Sequence, residues 1–179
     1  ALAFDVLTPD EGIAPALQAK LVRLLARSAG HGGMAGGQAI DLASVGKPLD
    51  ETTLRDMHRR KTGALLQASV LMGAACGDCS PEAWQALSEY GAAIGLAFQV
   101  VDDVLDVIAT DEQLGKPAGH DLVEGAYNLP VLRALQGPEG EELASLLGTP
   151  IEGDTWERAR SLVRSGDAVE QSIEVAREY

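Results

Sequence analysis

Asp102, Asp103 and Asp106 lie within five residues of one another, in a segment whose other residues are almost all apolar. On a helix turning about 100° per residue, Gln99 and the three aspartates fall within an arc of roughly 100°. Ile94, Phe98, Val100, Val101, Val104, Leu105, Val107 and Ile108 fill most of the remainder. Carboxylates one turn apart repel one another by a few tenths of a kcal/mol per pair unless a cation sits between them. Hard oxygen ligands of this kind suit magnesium bound jointly with phosphate groups. The plainer reading is an acidic stripe on a solvated helix face. The two readings differ in whether the stripe meets water.

Cations that could meet a phosphate stand elsewhere in the chain. Lys61 shares a helical stripe with Leu54, Met57, Leu65, Ala68 and Met72, where an apolar residue is expected. Either its long stem snorkels to the rim, or its ammonium points into an anion-lined cavity as a point charge. Lys116 sits in the loop Leu114-Gly115-Lys116-Pro117-Ala118-Gly119, whose glycines let backbone approach a ligand; a solvated lysine is the alternative. Gln38 and Asp41, one turn apart in a glycine-rich segment, read as a pocket wall or as a satisfied interhelical hydrogen bond. Cys76 and Cys79 have the C-x-x-C spacing of a zinc or redox pair. With no second pair nearby, and with Gly77-Asp78 and Ser80-Pro81 around them, they read better as reduced thiols in a turn.

The elements that position these residues are helical. The chain has 179 residues, 46% apolar and 23% charged, enough for a single domain over 1–179. Only 4% are aromatic, and Ala, Leu and Val dominate, which favours close helix packing over a sheet. A net charge of −13 opposes binding to nucleic acid or anionic lipid. It does not oppose a diphosphate, because a bound divalent cation reverses the local sign. No long apolar run predicts a membrane span, and no basic-then-apolar leader predicts a signal peptide.

Ala1 to Leu7 reads as the end of a helix whose start is missing, since it lacks a capping residue. Thr8-Pro9-Asp10-Glu11 predicts a capping box opening a helix to about Ser28. The five glycines between Gly30 and Gly37 read as the entry into a short helix over Met34 to Leu42. One long helix is predicted from Asp50 to about Cys76, and another from Ser80-Pro81-Glu82 to Ile108. Asp121-Leu122-Val123-Glu124 caps a helix through Leu135. Shorter helices follow between Pro138 and Leu147, between Thr155 and Val163, and from about Asp167.

Four phrases together resemble the trans-isoprenyl diphosphate synthases, the farnesyl and longer-chain polyprenyl diphosphate synthases. They are Gly36-Gly37-Gln38-Ala39-Ile40-Asp41-Leu42, His58-Arg59-Arg60-Lys61-Thr62-Gly63, Phe98-Gln99-Val100-Val101-Asp102-Asp103-Val104-Leu105-Asp106, and Gly115-Lys116. The resemblance implies an all-α bundle of long antiparallel helices around a central cavity, with two aspartate-rich motifs on facing walls. It implies that Asp102, Asp103 and Asp106 are the second motif and help bind magnesium. It implies that Lys61 and Lys116 hold the allylic diphosphate, that Thr62 and Gln99 are polar neighbours, and that Gln38 and Asp41 line the cavity. In such a reaction the allylic diphosphate ionises, the double bond of isopentenyl diphosphate attacks the carbocation, and proton loss leaves a chain five carbons longer.

Two departures qualify the likeness. No other D-D-x-x-D occurs in the sequence, so the first motif is expected upstream of the position matching Ala1. The segment through Val107 resembles the farnesyl type, whereas Gly119 to Gly125 and Asn128 to Leu132 resemble longer-chain enzymes, so product length is not legible. We expect an enzyme of the cytoplasm, forming a homodimer. The competing expectation is a non-catalytic helical partner of the same fold.

Overall fold

The computed structural model describes residues 1–115, 118–147, 151 and 153–179. The helices are α1 (Leu2–Leu7), α2 (Pro15–Ala29), α3 (Met34–Ala43), α4 (Glu51–His58), α5 (Ala64–Ala75), α6 (Pro81–Ile108), α7 (Asp111–Leu114), α8 (His120–Glu124), α9 (Leu129–Leu135), α10 (Gly140–Leu147), α11 (Asp154–Ser165) and α12 (Ala168–Arg177). A π-helical turn, Arg59–Gly63, joins α4 to α5. There is no strand among the described residues, so the fold is all-α as expected. No helix among them is long and apolar enough to cross a membrane.

The chain divides into two compact units, Ala1–Ala39 with Asp56–Leu96, and Ile40–Arg55 with Ala97–Tyr179. In the first, α2 packs along α5 through Leu21, Ala68 and Leu71. Small residues set the spacing around the π-turn. A Cβ on Gly37 would stand 2.3 Å from the Lys61 backbone nitrogen, and one on Gly95 would stand 2.6 Å from the Gly63 Cα. Side chains at either position would force the segments apart. Gln67 Nε2 donates to the Ser88 carbonyl and hydroxyl, both at 2.9 Å, tying α5 to α6.

The second unit has the larger apolar core. Val100, Val104 and Val107 of α6, Leu122 of α8, Leu129 and Val131 of α9, Leu143 of α10 and Leu162 and Val163 of α11 are all buried. The amphipathic α10, α11 and α12 each turn an apolar face to α9 or to a neighbour that contacts it. Glu51 bridges α4 and α9, accepting from Arg55 at 2.6 Å and from Arg133 at 2.7 Å.

Four sequence expectations need correction. Thr8 does not cap α2: its hydroxyl donates to the Phe4 carbonyl at 2.9 Å and closes α1. Helix α2 instead starts with Pro15 in its first turn, after Gly12 at φ +93° breaks the chain direction. The long helix from Asp50 to Cys76 contains the π-turn, where the Ala64 N–H donates to the Arg59 carbonyl five residues back. The extra residue rotates the downstream face, so Ala68 and Leu71 are buried while Leu65 and Met72 are only half-buried. The helix expected from Asp121 to Leu135 is two helices, separated at Gly125 (φ +76°) and restarted by Asn128, whose side chain accepts from the Val131 N–H. Helix α7 is an addition to the expected set, although Thr110 and Gln113 form the capping box that announces it.

Candidate functional site

The acidic stripe of α6 lies in the second unit, and it does not face water as a solvated stripe would. Gln99, Asp103 and Asp106 are only 8%, 5% and 2% exposed, while Phe98, Val101, Leu105 and Ile108 of the same helix are 56%, 46%, 39% and 37% exposed. Asp102 is exposed. Three of the four polar residues are thus inside with Val100, Val104 and Val107, while other apolar residues of the helix stand outside, unlike the clean division of an ordinary surface helix.

Breaks between α8 and α9 explain how a carboxylate is accommodated there. The restart of α9 frees the Leu129 N–H, which donates to Asp103 Oδ2 at 3.1 Å. Asn128 Nδ2 reaches the Asp103 carbonyl and Asp121 Oδ2, each at 3.4 Å. Burial holds the Asp103 carboxyl well above the ordinary carboxylate range. The Leu129 N–H opposes that shift, and the charges of Asp121, Asp102 and Asp106 add to it. A cation beside Asp103 would relieve the burial of its charge and the repulsion from its three neighbouring carboxylates.

Among the described residues, no three His, Cys, Asp or Glu side chains converge as a metal cage. Asp103 commits one oxygen to Leu129. The donor set therefore does not fit a metal caged by protein alone. It fits an ion that takes one or two carboxylates and completes its shell with phosphate and water, as magnesium does. Asp102 and Asp106 stand one turn apart on α6.

The other sequence-identified residues are placed as follows. Gln38 and Asp41 are both on α3, half-buried, Gln38 in the first unit and Asp41 in the second. Lys61 and Thr62 are half-buried in the π-turn of the first unit, with Gly37 against the Lys61 backbone. π-Turns inside α-helices are frequent at functional sites, because they re-aim side chains that a regular helix would send elsewhere. Lys116 lies outside the described residues. Both cysteines are free, and Cys76 Sγ contacts the Met72 carbonyl at 3.3 Å, closing the end of α5. Sequence reasoning does not single out Asp121, Asn128, Trp156 or Arg160 as site residues. Asn128-Leu129-Pro130 carries a helix-start signal, a capping residue followed by Pro in the first turn, that points to the first two.

Comparison with known proteins assigns this all-α chain to a class. The family model for polyprenyl synthetase matches residues 3–161, and the chain belongs to that family. The farnesyl diphosphate synthase of Geobacillus stearothermophilus is 41% identical over 144 residues, 79% of this chain and 48% of that protein. The geranylgeranyl pyrophosphate synthetase from Pyrococcus horikoshii superposes with a TM-score of 0.81 at 29% identity, over 98% of this chain and 54% of that one. A polyprenyl synthase from Caulobacter crescentus, complexed with calcium and isoprenyl diphosphate, superposes with a TM-score of 0.76 at 29% identity, over 92% of this chain and 49% of that one. The chain spans about half the length of the curated relatives it matches.

Proposed function

We propose that this chain supplies the diphosphate- and magnesium-binding part of a prenyltransferase of isoprenoid biosynthesis, which joins an allylic diphosphate to isopentenyl diphosphate. The observation that carries the reading is the burial of Gln99, Asp103 and Asp106 on a helix that leaves Phe98, Val101, Leu105 and Ile108 exposed. The family membership and the Caulobacter relative's bound calcium and isoprenyl diphosphate support it. Magnesium between Asp102, Asp106 and the diphosphate would offset the charge that develops on the departing oxygens. Asp103, tied to Leu129, fixes the helix face on which the other two stand. We assign the diphosphate to Lys61 and Lys116 as point charges, with Thr62 and Gln99 as neutral donors, and the cavity wall to Gln38 and Asp41.

We further take residues 1–179 as part of one α-helical domain, which the 98% coverage by the Pyrococcus superposition supports. The sequence holds a single D-D-x-x-D. We propose that a complete catalytic centre needs a second such motif, and that this chain alone turns over far more slowly than a complete family member. The exposed Phe98, Val101, Leu105 and Ile108 support association, which we assign to a homodimer. We assign the protein to the cytoplasm, where reduced thiols such as Cys76 and Cys79 are ordinary.

Calorimetric titration of the chain with pyrophosphate tests the reading. Binding is expected with magnesium and not with EDTA, and Asp102→Asn is expected to abolish the magnesium dependence. Equal heats in EDTA would overturn it.

A further inference from the structure

The last turn of α6 ends in carbonyls with no intrahelical donor, and such ends fray unless other groups satisfy them. Two other segments supply the donors. The Gly119 N–H donates to the Asp106 carbonyl at 2.7 Å. Arg160 of α11 donates from Nε to the Val107 carbonyl at 2.7 Å and from Nη2 to the Ala109 carbonyl.

The same two segments are joined to each other. Trp156, one turn before Arg160, donates from Nε1 to the Gly119 carbonyl at 3.2 Å. The Arg160 guanidinium lies 5.3 Å from the Trp156 ring centroid, within cation–π range. Gly119 has φ +68°, and a Cβ there would stand 2.9 Å from the indole nitrogen, so any side chain would push the tryptophan away. The contacts close a ring running from the Asp106 backbone through Gly119, Trp156 and Arg160 to Val107. This ring joins the carboxylate-bearing end of α6 to Gly119 and α11.

We propose that Trp156 and Arg160 are positioning residues for the diphosphate site, acting through backbone to hold the last turn of α6 and Gly119 in one register. The inference rests on the magnesium–diphosphate reading of α6. Magnesium demands near-ideal octahedral geometry, so a fraying ligand helix weakens its hold on the ion and the phosphate together. Arginine suits the task because one planar fork reaches two carbonyls while stacking on the indole; a lysine reaches one.

The test is calorimetric titration of the full chain with pyrophosphate at saturating magnesium, with melting temperatures measured in parallel. Arg160→Met and Trp156→Phe are expected to bind about tenfold more weakly, the low end for groups that support metal ligands. Arg160→Lys should recover part of the loss. Leu162→Ala truncates a buried side chain of the same helix and should lower the melting temperature while leaving the Kd unchanged. If Arg160→Met fails to fold, Trp156→Phe decides. Unchanged affinity in Trp156→Phe and in a folded Arg160→Met, with the parent binding normally, would overturn this inference and leave the site reading intact. An equal loss in Leu162→Ala would also overturn it, since the effect would then be general loosening. Absence of magnesium-dependent binding in the parent would overturn the site reading, and this inference with it.

Discussion

Replacing Gly37 with alanine probes the junction that carries Lys61. The new Cβ would lie 2.3 Å from the Lys61 nitrogen and 2.6 Å from its Cα, where ordinary contact begins near 3.4 Å. The obstruction is backbone in the middle of a turn, so no rotamer change relieves it, and α3 must move off the π-turn by roughly 1 Å. Overpacking of this kind costs about 1–3 kcal/mol, and the upper end applies because backbone must shift. The helix-propensity gain of alanine over glycine returns about 1 kcal/mol. A net loss of about 2 kcal/mol should lower the melting temperature by roughly 4–8 °C for a chain of this size. Gly73→Ala is the matched control, because it lies inside α5 and a Cβ there would meet nothing within 4 Å. It should gain most of the propensity term and melt higher than the parent. Far-ultraviolet circular dichroism, which reports the loss of helix directly, follows thermal unfolding of both variants. A Gly37→Ala melting temperature equal to that of the parent, or an equal drop in Gly73→Ala, would refute the packing argument.

Other perturbations have defined outcomes. Asn128→Ala removes the cap of α9 and both side-chain contacts toward Asp103 and Asp121, and should cost about 1–2 kcal/mol, read by urea unfolding. The double change Val101→Ser and Leu105→Ser trims the exposed stripe of α6; it should reduce concentration-dependent association in sedimentation velocity while leaving the melting temperature unchanged. Incubated with magnesium, isopentenyl diphosphate and geranyl diphosphate, the chain alone should form product far more slowly than about one turnover per second, read by product chromatography.

The helical class was legible because its causes are local. Pro81 after Ser80 opens α6, and the apolar spacing carries it to Ile108 as expected. What the sequence concealed depends on competition between neighbours. The Thr8 cap was lost because α1 claimed the hydroxyl first. The π-turn was invisible because one additional residue in a turn leaves no compositional mark, although it changes which residues of α5 are buried. The break at Gly125 was readable from Asn128-Leu129-Pro130, but helical spacing on either side masked it.

At the site, the aspartate cluster could be found by type and spacing alone. The burial of Asp103 and Asp106 could not, since a helical wheel assigns arcs but not which arc meets the core. Arg160 and Trp156 were beyond reach for another reason: both act on carbonyls of residues about fifty and forty positions earlier in the chain, a pairing created only by folding.

The central claim is that the α6 aspartates hold a divalent cation together with a diphosphate. Anomalous diffraction from crystals grown with manganese and pyrophosphate tests it most directly, because manganese takes the same oxygen ligands as magnesium and reveals its own position. The account predicts a peak within about 2.0–2.3 Å of carboxylate oxygens of Asp102 and Asp106, with phosphate oxygens completing the shell. A manganese peak bound only to other residues, or pyrophosphate bound with no metal beside α6, would contradict it.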